Sequence, residues 1–142
     1  MTPLGKKLRE LRAARGVSQK EMAKALGVSA AYLSALEHGH RAAPNWALLQ
    51  KMIGFFNIIW DDAEELLRLA EASHPRVVID TSGLTPEATE AANLLAEVFG
   101  KLDAGEVEDL MRIASAAAER GRANVQSDDE LRTAPAIQRA GR

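Results

Sequence analysis

The sequence predicts an all-α chain: five short helices, a break, a helical hairpin and a disordered tail. Three observations carry this. Apolar residues recur at i, i+3 and i+4 through most of the chain, the spacing of one helix face. Helix starts are marked by Ser, Thr or Asp, several with Glu three positions later. The β-branched run Val77-Val78-Ile79 is short and solitary, and a lone strand cannot stand by itself.

The first helix is expected over Pro3 to Arg15. Thr2 can cap it, and proline suits the first helical position, where its missing N–H costs nothing. Leu4, Leu8 and Leu11 form its apolar stripe, and Lys6, Lys7, Arg9, Arg12 and Arg15 make the rest basic. Ser18 opens the second helix with Glu21 as its capping-box partner, followed by Met22, Ala23 and Leu26 on one face. Gly27 can take the left-handed conformation that ends it, and Ser29 caps a third helix in which Leu33 and Leu36 point inward. Ala30, Ala31, Tyr32, Ser34 and Ala35 are left to face outward or sideways. After Gly39, Pro44 is expected to open a fourth helix with Leu48, Leu49, Met52, Ile53 and Phe56 inward. Asp61 is expected to cap a fifth, with Glu64 completing a capping box and Leu66, Leu67 and Ala70 inward. These five helices make a domain over residues 1–73.

Two helices joined by the tight turn Gly27-Val28-Ser29, the second projecting, have the geometry that fits a DNA major groove. An ordinary helical hairpin in an all-α core has the same local signals. The flanks favour the first reading. The run Leu8-Arg9-x-Leu11-Arg12, Gly16-Val17-Ser18-Gln19, Met22-Ala23, Leu26-Gly27-Val28-Ser29, Leu33-Ser34, Glu37-x-Gly39 and Arg41-x-x-Pro44 closely resembles the Cro/repressor class of phage-repressor-like helix-turn-helix domains, the xenobiotic-response-element family of transcriptional regulators. The resemblance covers the first half of the chain. It implies a five-helix repressor-like DNA-binding domain in a cytoplasmic, nucleoid-associated protein of a bacterium or phage.

Charge is distributed in the same sense. The whole chain carries −2, but residues 1–60 hold nine Lys/Arg against three Asp/Glu, a net of +6, and residues 61–142 carry −8. Lysines that merely solvate helix faces would explain each residue singly but not this segregation, which suits a DNA reader joined to a partner module.

The resemblance implies that the helix at 30–37 enters the major groove, with Ala30, Ala31, Tyr32, Ser34 and Ala35 at or beside base-facing positions and Ser29 among the DNA-binding residues. Better-known members often place Gln, Asn or Arg there. Alanine can contact only apolar groups, chiefly the thymine methyl, so direct readout is expected to rest on few hydrogen bonds, with DNA shape supplying more. Two readings of Tyr32 stay open: a base contact, or a ring packed on the domain with its hydroxyl at a phosphate. Gln19 begins a helix, where free N–H groups favour an anion, and the family uses this position to clamp the DNA backbone. His38, His40 and Arg41 follow the reading helix, and Lys6 and Lys20 are further phosphate candidates; each lysine also fits a merely solvated role. The resemblance implies an ion pair between Arg12 and Glu37 that ties the first helix to the third.

Residues 74–84 are expected to be a linker or short strand, since Pro75 disfavours helix at the residue before it. Thr85-Pro86-Glu87 is a cap, a first-turn proline and an acid at the positive helix end. Leu95, Val98, Phe99 and Leu102 lie on this helix's stripe. Asp103 and Glu106 open another helix carrying Val107, Leu110 and Met111. The short connection implies an antiparallel hairpin over 85–120, too small to bury both stripes alone. Docking on the first domain is possible; pairing with a second copy is favoured, as a dimerisation module for pseudo-palindromic sites. From Gly121 the period is lost, and 121–142 is expected to be a disordered tail.

The absence of cysteine removes disulfides and most zinc sites, and no cofactor is expected. No phosphate-cradling glycine loop and no Ser/His/Asp set is visible, so the chain is not expected to be an enzyme; a self-cleaving repressor would need a β-rich protease domain. No signal peptide or membrane-spanning run is visible. The expectation is a homodimeric transcriptional repressor on double-stranded DNA. The alternative is an antitoxin-like interaction protein whose acidic C-terminal half binds a protein partner and whose DNA binding is autoregulatory.

Overall fold

Helix caps set the element boundaries in the computed structural model, which describes residues 1–133. The order is α1 (Pro3–Arg15), α2 (Gln19–Leu26), α3 (Ala30–Glu37), α4 (Trp46–Phe55), α5 (Asp61–Glu71), α6 (Pro86–Val98), a 3₁₀ turn (Phe99–Lys101) and α7 (Ala104–Thr133). All the regular structure among the described residues is helical, and none of these helices is long and apolar enough to cross a membrane. The chain divides into two units, Met1–Val78 and a second beginning at Ile79.

In the first unit the apolar stripes converge on one core. Leu4, Leu8, Met22, Leu33, Met52, Phe56 and Leu66 are fully buried. The rings of Phe55 and Phe56 meet edge to face at 5.0 Å, and the Arg15 guanidinium covers Phe56 from outside, 5.5 Å from its centroid. Ser73 closes the unit end to end. Its buried hydroxyl accepts the Leu4 N–H at 2.8 Å and donates to the Leu69 carbonyl, tying the start of α1 to the end of α5. The Leu4 N–H is one of the donors a helix start leaves without an intrahelical partner.

One helix start and one cap differ from the sequence expectation. α4 begins at Trp46, not Pro44, because the Asn45 side chain accepts the Leu48 N–H at 2.9 Å and is the cap; Pro44 is buried just ahead of it. At α5 the expected Asp61–Glu64 capping box is not formed. Trp60 occupies the cap position with φ of 51° and no side-chain cap bond, which moves Asp61 inside the first turn. Asp61, Asp62 and Glu64 then act on the helix dipole rather than on individual N–H groups.

The second unit is a pair of helices joined by a tight connection. The Thr85 hydroxyl accepts the Ala88 N–H at 3.3 Å at the start of α6. Asp103 and Glu106 exchange N–H···O bonds of 2.9 Å at the start of α7. Leu95, Val98, Leu102, Val107 and Leu110 are half-buried around the connection, while Phe99 and Met111 are exposed. Beyond it α6 and α7 do not pack on one another, so the expected antiparallel hairpin is open within a single chain. α7 also continues to Thr133, past the helix end expected near residue 120. No proline falls between 104 and 133, and a single interior glycine such as Gly121 costs only about 1 kcal/mol relative to alanine. Residues 134–142 of the expected tail lie outside the described residues. Residues 74–84 form no strand; Asp80 accepts from the Ser82 hydroxyl and from the Ser82 N–H in a local turn, bonds that hold the Asp80 carboxyl below its ordinary range.

Candidate nucleic-acid interface

The geometry of α2 and α3 follows from local capping. The Ser18 hydroxyl accepts the Glu21 N–H at 3.2 Å and the Glu21 carboxylate accepts the Ser18 N–H at 2.8 Å. Those bonds stabilise the ionised carboxylate, and the Glu21 pKa is lowered, first through the Ser18 side chain. Gly27, at φ 73°, reverses the chain, and the N–H groups of Gly27 and Val28 return to the carbonyls of Lys24 and Ala23. The Ser29 hydroxyl then accepts the Tyr32 N–H at 3.0 Å and starts α3.

α3 buries Leu33, Leu36 and Glu37 and turns the rest outward. Ala30 and Ala31 are exposed, and Tyr32, Ser34 and Ala35 half-exposed. The Tyr32 ring packs partly against the core and has the Arg41 guanidinium 6.0 Å from its centroid. That placement favours the packed-ring reading, with the hydroxyl as the group left to reach outward. His38 is exposed, and its Nδ1 lies 2.8 Å from the Ser34 carbonyl. A carbonyl only accepts, so Nδ1 carries the proton and Nε2 faces away.

The base of α3 is held by a buried carboxylate. Glu37 is 1% exposed and accepts three bonds: from Arg12 Nε at 2.9 Å, from Arg12 Nη2 at 3.0 Å and from Gln19 Nε2 at 3.0 Å. The two Arg12 bonds are the parallel fork that guanidinium and carboxylate geometry allows. Arg12 also donates to the Val17 carbonyl at 3.4 Å. One charged network thus joins α1, α2 and α3. No buried side-chain polar atom among the described residues lacks a partner.

Gln19 is therefore tied inward by one N–H, while its remaining N–H and its carbonyl stay available at the half-exposed start of α2. The Ser29 hydroxyl likewise keeps its proton free to donate outward. Lys6 and Lys20 are exposed on α1 and α2, and His40 and Arg41 are exposed after α3. The structure brings Arg12, Gln19 and Glu37 together, and Tyr32 with Arg41. Lys7 is engaged elsewhere, 3.0 Å from Glu65.

One positioning residue escaped the sequence reading. Gly5 is buried where α1 crosses α3, and a Cβ there would lie 2.1 Å from the Glu37 carbonyl oxygen. The two backbones touch because nothing stands between them, which keeps Arg12 within reach of Glu37. The available signal was an isolated glycine inside a helical pattern, which usually has a packing reason.

Comparison with known proteins agrees with this geometry. Residues 8–59 match a helix-turn-helix family model. The chain is 34% identical over 62 residues to a Bacillus subtilis (strain 168) protein described as an uncharacterized HTH-type transcriptional regulator, RghRB. The match covers 44% of this chain and 45% of that protein, so the shared part is less than half of either. No solved structure matches. The first unit carries a helix-turn-helix domain of the Cro/repressor type.

Proposed function

We propose that the chain is a DNA-binding transcriptional regulator acting as a homodimeric repressor, with α3 in the major groove of each half of a pseudo-palindromic operator. The observation that carries this is α3 itself: an outward face of Ala30, Ala31, Tyr32, Ser34 and Ala35, backed by a buried carboxylate bonded to both preceding helices. The net charge of +6 over residues 1–60 supports approach to a polyanion. Gln19, Ser29, His38, Arg41, Lys6 and Lys20 ring the face and contact phosphates. Thymine methyls meet Ala30 and Ala31. The exposed apolar surface of α6 and α7 supports dimerisation by the second unit.

Site selection followed by footprinting tests this with the full chain. Gln19→Ala is expected to weaken binding to all sites about equally. Ala31→Gln combined with Tyr32→Ala is expected to change which sites are preferred. An unchanged preference removes α3 from the reading role, and binding insensitive to salt removes the phosphate contacts. A second reading, an antitoxin-like protein with a basic partner, draws on the −8 of residues 61–142. A short toxin-like gene beside this one would favour it.

A further inference from the structure

We infer that α7 pairs antiparallel with α7 of a second copy, about a two-fold axis passing between Ser115 and Ala116. The inference rests on the homodimer reading above and adds its architecture. α7 has 30 residues, about 45 Å, whereas α6 has 13, about 20 Å. Even a closed hairpin would leave half of α7 uncovered, and the hairpin is open. Every residue from Met111 to Asp129 is exposed, including Met111 at 65%, Ile113 at 68% and Val125 at 70%. A long helix with a bare apolar stripe needs a partner.

The pattern on α7 says which partner. Val107, Leu110, Ala114, Ala117 and Gly121 recur at alternating spacings of three and four, a coiled-coil seam. Met111, Ala118 and Val125 flank it on one side and Ile113 on the other. Turned antiparallel about the stated axis, the seam matches itself from Leu110 to Gly121, and Val107 lies against Asn124 of the second copy. Leu110 meets Gly121 of the second copy, large against small, and Ala114 meets Ala117. On the flanks Met111 lies toward Val125, and Ala118 and Ile113 each toward their own counterparts, offset by about 7.5 Å along the axis. Glu106 faces Arg120, an opposite-charge pair. The exposed large apolar residues of α7 are all covered. A parallel pair does not do this: its seam runs on through Asn124 to Asp128, setting two carboxylates face to face. Antiparallel, Asp128 falls at the positive end of the neighbouring helix, where a carboxylate is favoured.

The chain has no cysteine, so single-cysteine variants of the full protein report pairing without background. Under mild oxidation, Ala114→Cys mixed with Ala117→Cys is expected to give a linked dimer, because these two positions face one another at the same height. Val107→Cys is expected to give none, its two copies being about 25 Å apart. Leu110→Cys and Gly121→Cys are expected to link when mixed and not alone, their own copies being about 16 Å apart. Self-linking at Val107 overturns the antiparallel arrangement. A dimer by sedimentation velocity without links between Ala114 and Ala117 or between Leu110 and Gly121 moves the interface elsewhere and overturns this inference alone. A chain that stays monomeric at all concentrations overturns the homodimer reading with it.

Discussion

The two units place the same kind of side chain in opposite environments. In the first, Phe56 is fully buried and the Glu37 carboxyl group is buried with three N–H groups bonded to it. In the second, α6 buries nothing, and Phe99, Met111 and Ile113 lie more than half in solvent. Both units use the same local devices: side-chain caps, capping boxes and apolar stripes. The difference lies in closure. Five short helices crossing at angles cover one another's stripes, whereas two helices that part beyond their connection cannot. Well-formed helices are therefore no measure of a finished core.

The contrast can be broken or sharpened by substitution. The largest effect is expected from a phenylalanine pair. Phe56→Ala should cost the first unit about 4 kcal/mol, whereas Phe99→Ala in dilute protein should shift unfolding by less than about 0.5 kcal/mol. Urea denaturation of both variants compares them directly; equal effects would mean that the second unit is closed after all.

Next comes Gly5→Ala. Its Cβ would sit 2.1 Å from the Glu37 carbonyl oxygen, backbone against side chain with no flexible group to yield. A loss of about 3 kcal/mol is expected, the upper end of overpacking costs. The equivalent change at Gly121, with open space around it, should instead raise helix stability by about 1 kcal/mol.

Glu37→Ala should follow at about 2 kcal/mol. Breaking a buried pair usually costs more, but the Arg12 side chain is 16% exposed and can partly hydrate once released. Thermal unfolding gives the stability loss. Amide signals of Gln19 in nuclear magnetic resonance should shift in the same variant, because its side chain loses an acceptor at 3.0 Å.

The smallest effect concerns acid. The Glu21 pKa is lowered in the folded chain from an ordinary 4.5, so its contribution is present above that value and is lost as pH falls through the lower folded value. Glu87 at the start of α6 is lowered too, chiefly through its own backbone N–H and then the Thr85 hydroxyl. Carboxyl titration followed by nuclear magnetic resonance should show Ser18→Ala moving Glu21 back toward 4.5 without moving Glu87. A joint shift would mean that the two caps are coupled.

The outward face of α3 was legible from the sequence because its causes are local. Ser18 and Glu21, Gly27, and Ser29 each act within about one helical turn, and they place α2 and α3 without reference to the rest of the chain. The inward tie of Gln19 was not legible. Its position at the start of α2 suggested a phosphate contact, and nothing nearby announced an acceptor eighteen residues on. Asn45 lost out to Pro44 as a start signal for the same kind of reason: proline suits a first turn, but the side chain that reaches the Leu48 N–H decides where that turn lies.

What this sequence determined by itself is where most of its helices begin, which face of each is apolar and which side chains α3 turns outward. These depend on bonds and spacings within a few residues. The tertiary structure alone decided that Leu4 meets Ser73 across 69 residues, that Arg12, Gln19 and Glu37 share one site, that Gly5 lets two backbones touch, and that α6 and α7 stay apart. Each of these depends on the distance between elements remote in the chain. That distance is set by the packing of whole helices rather than by any residue's own preference.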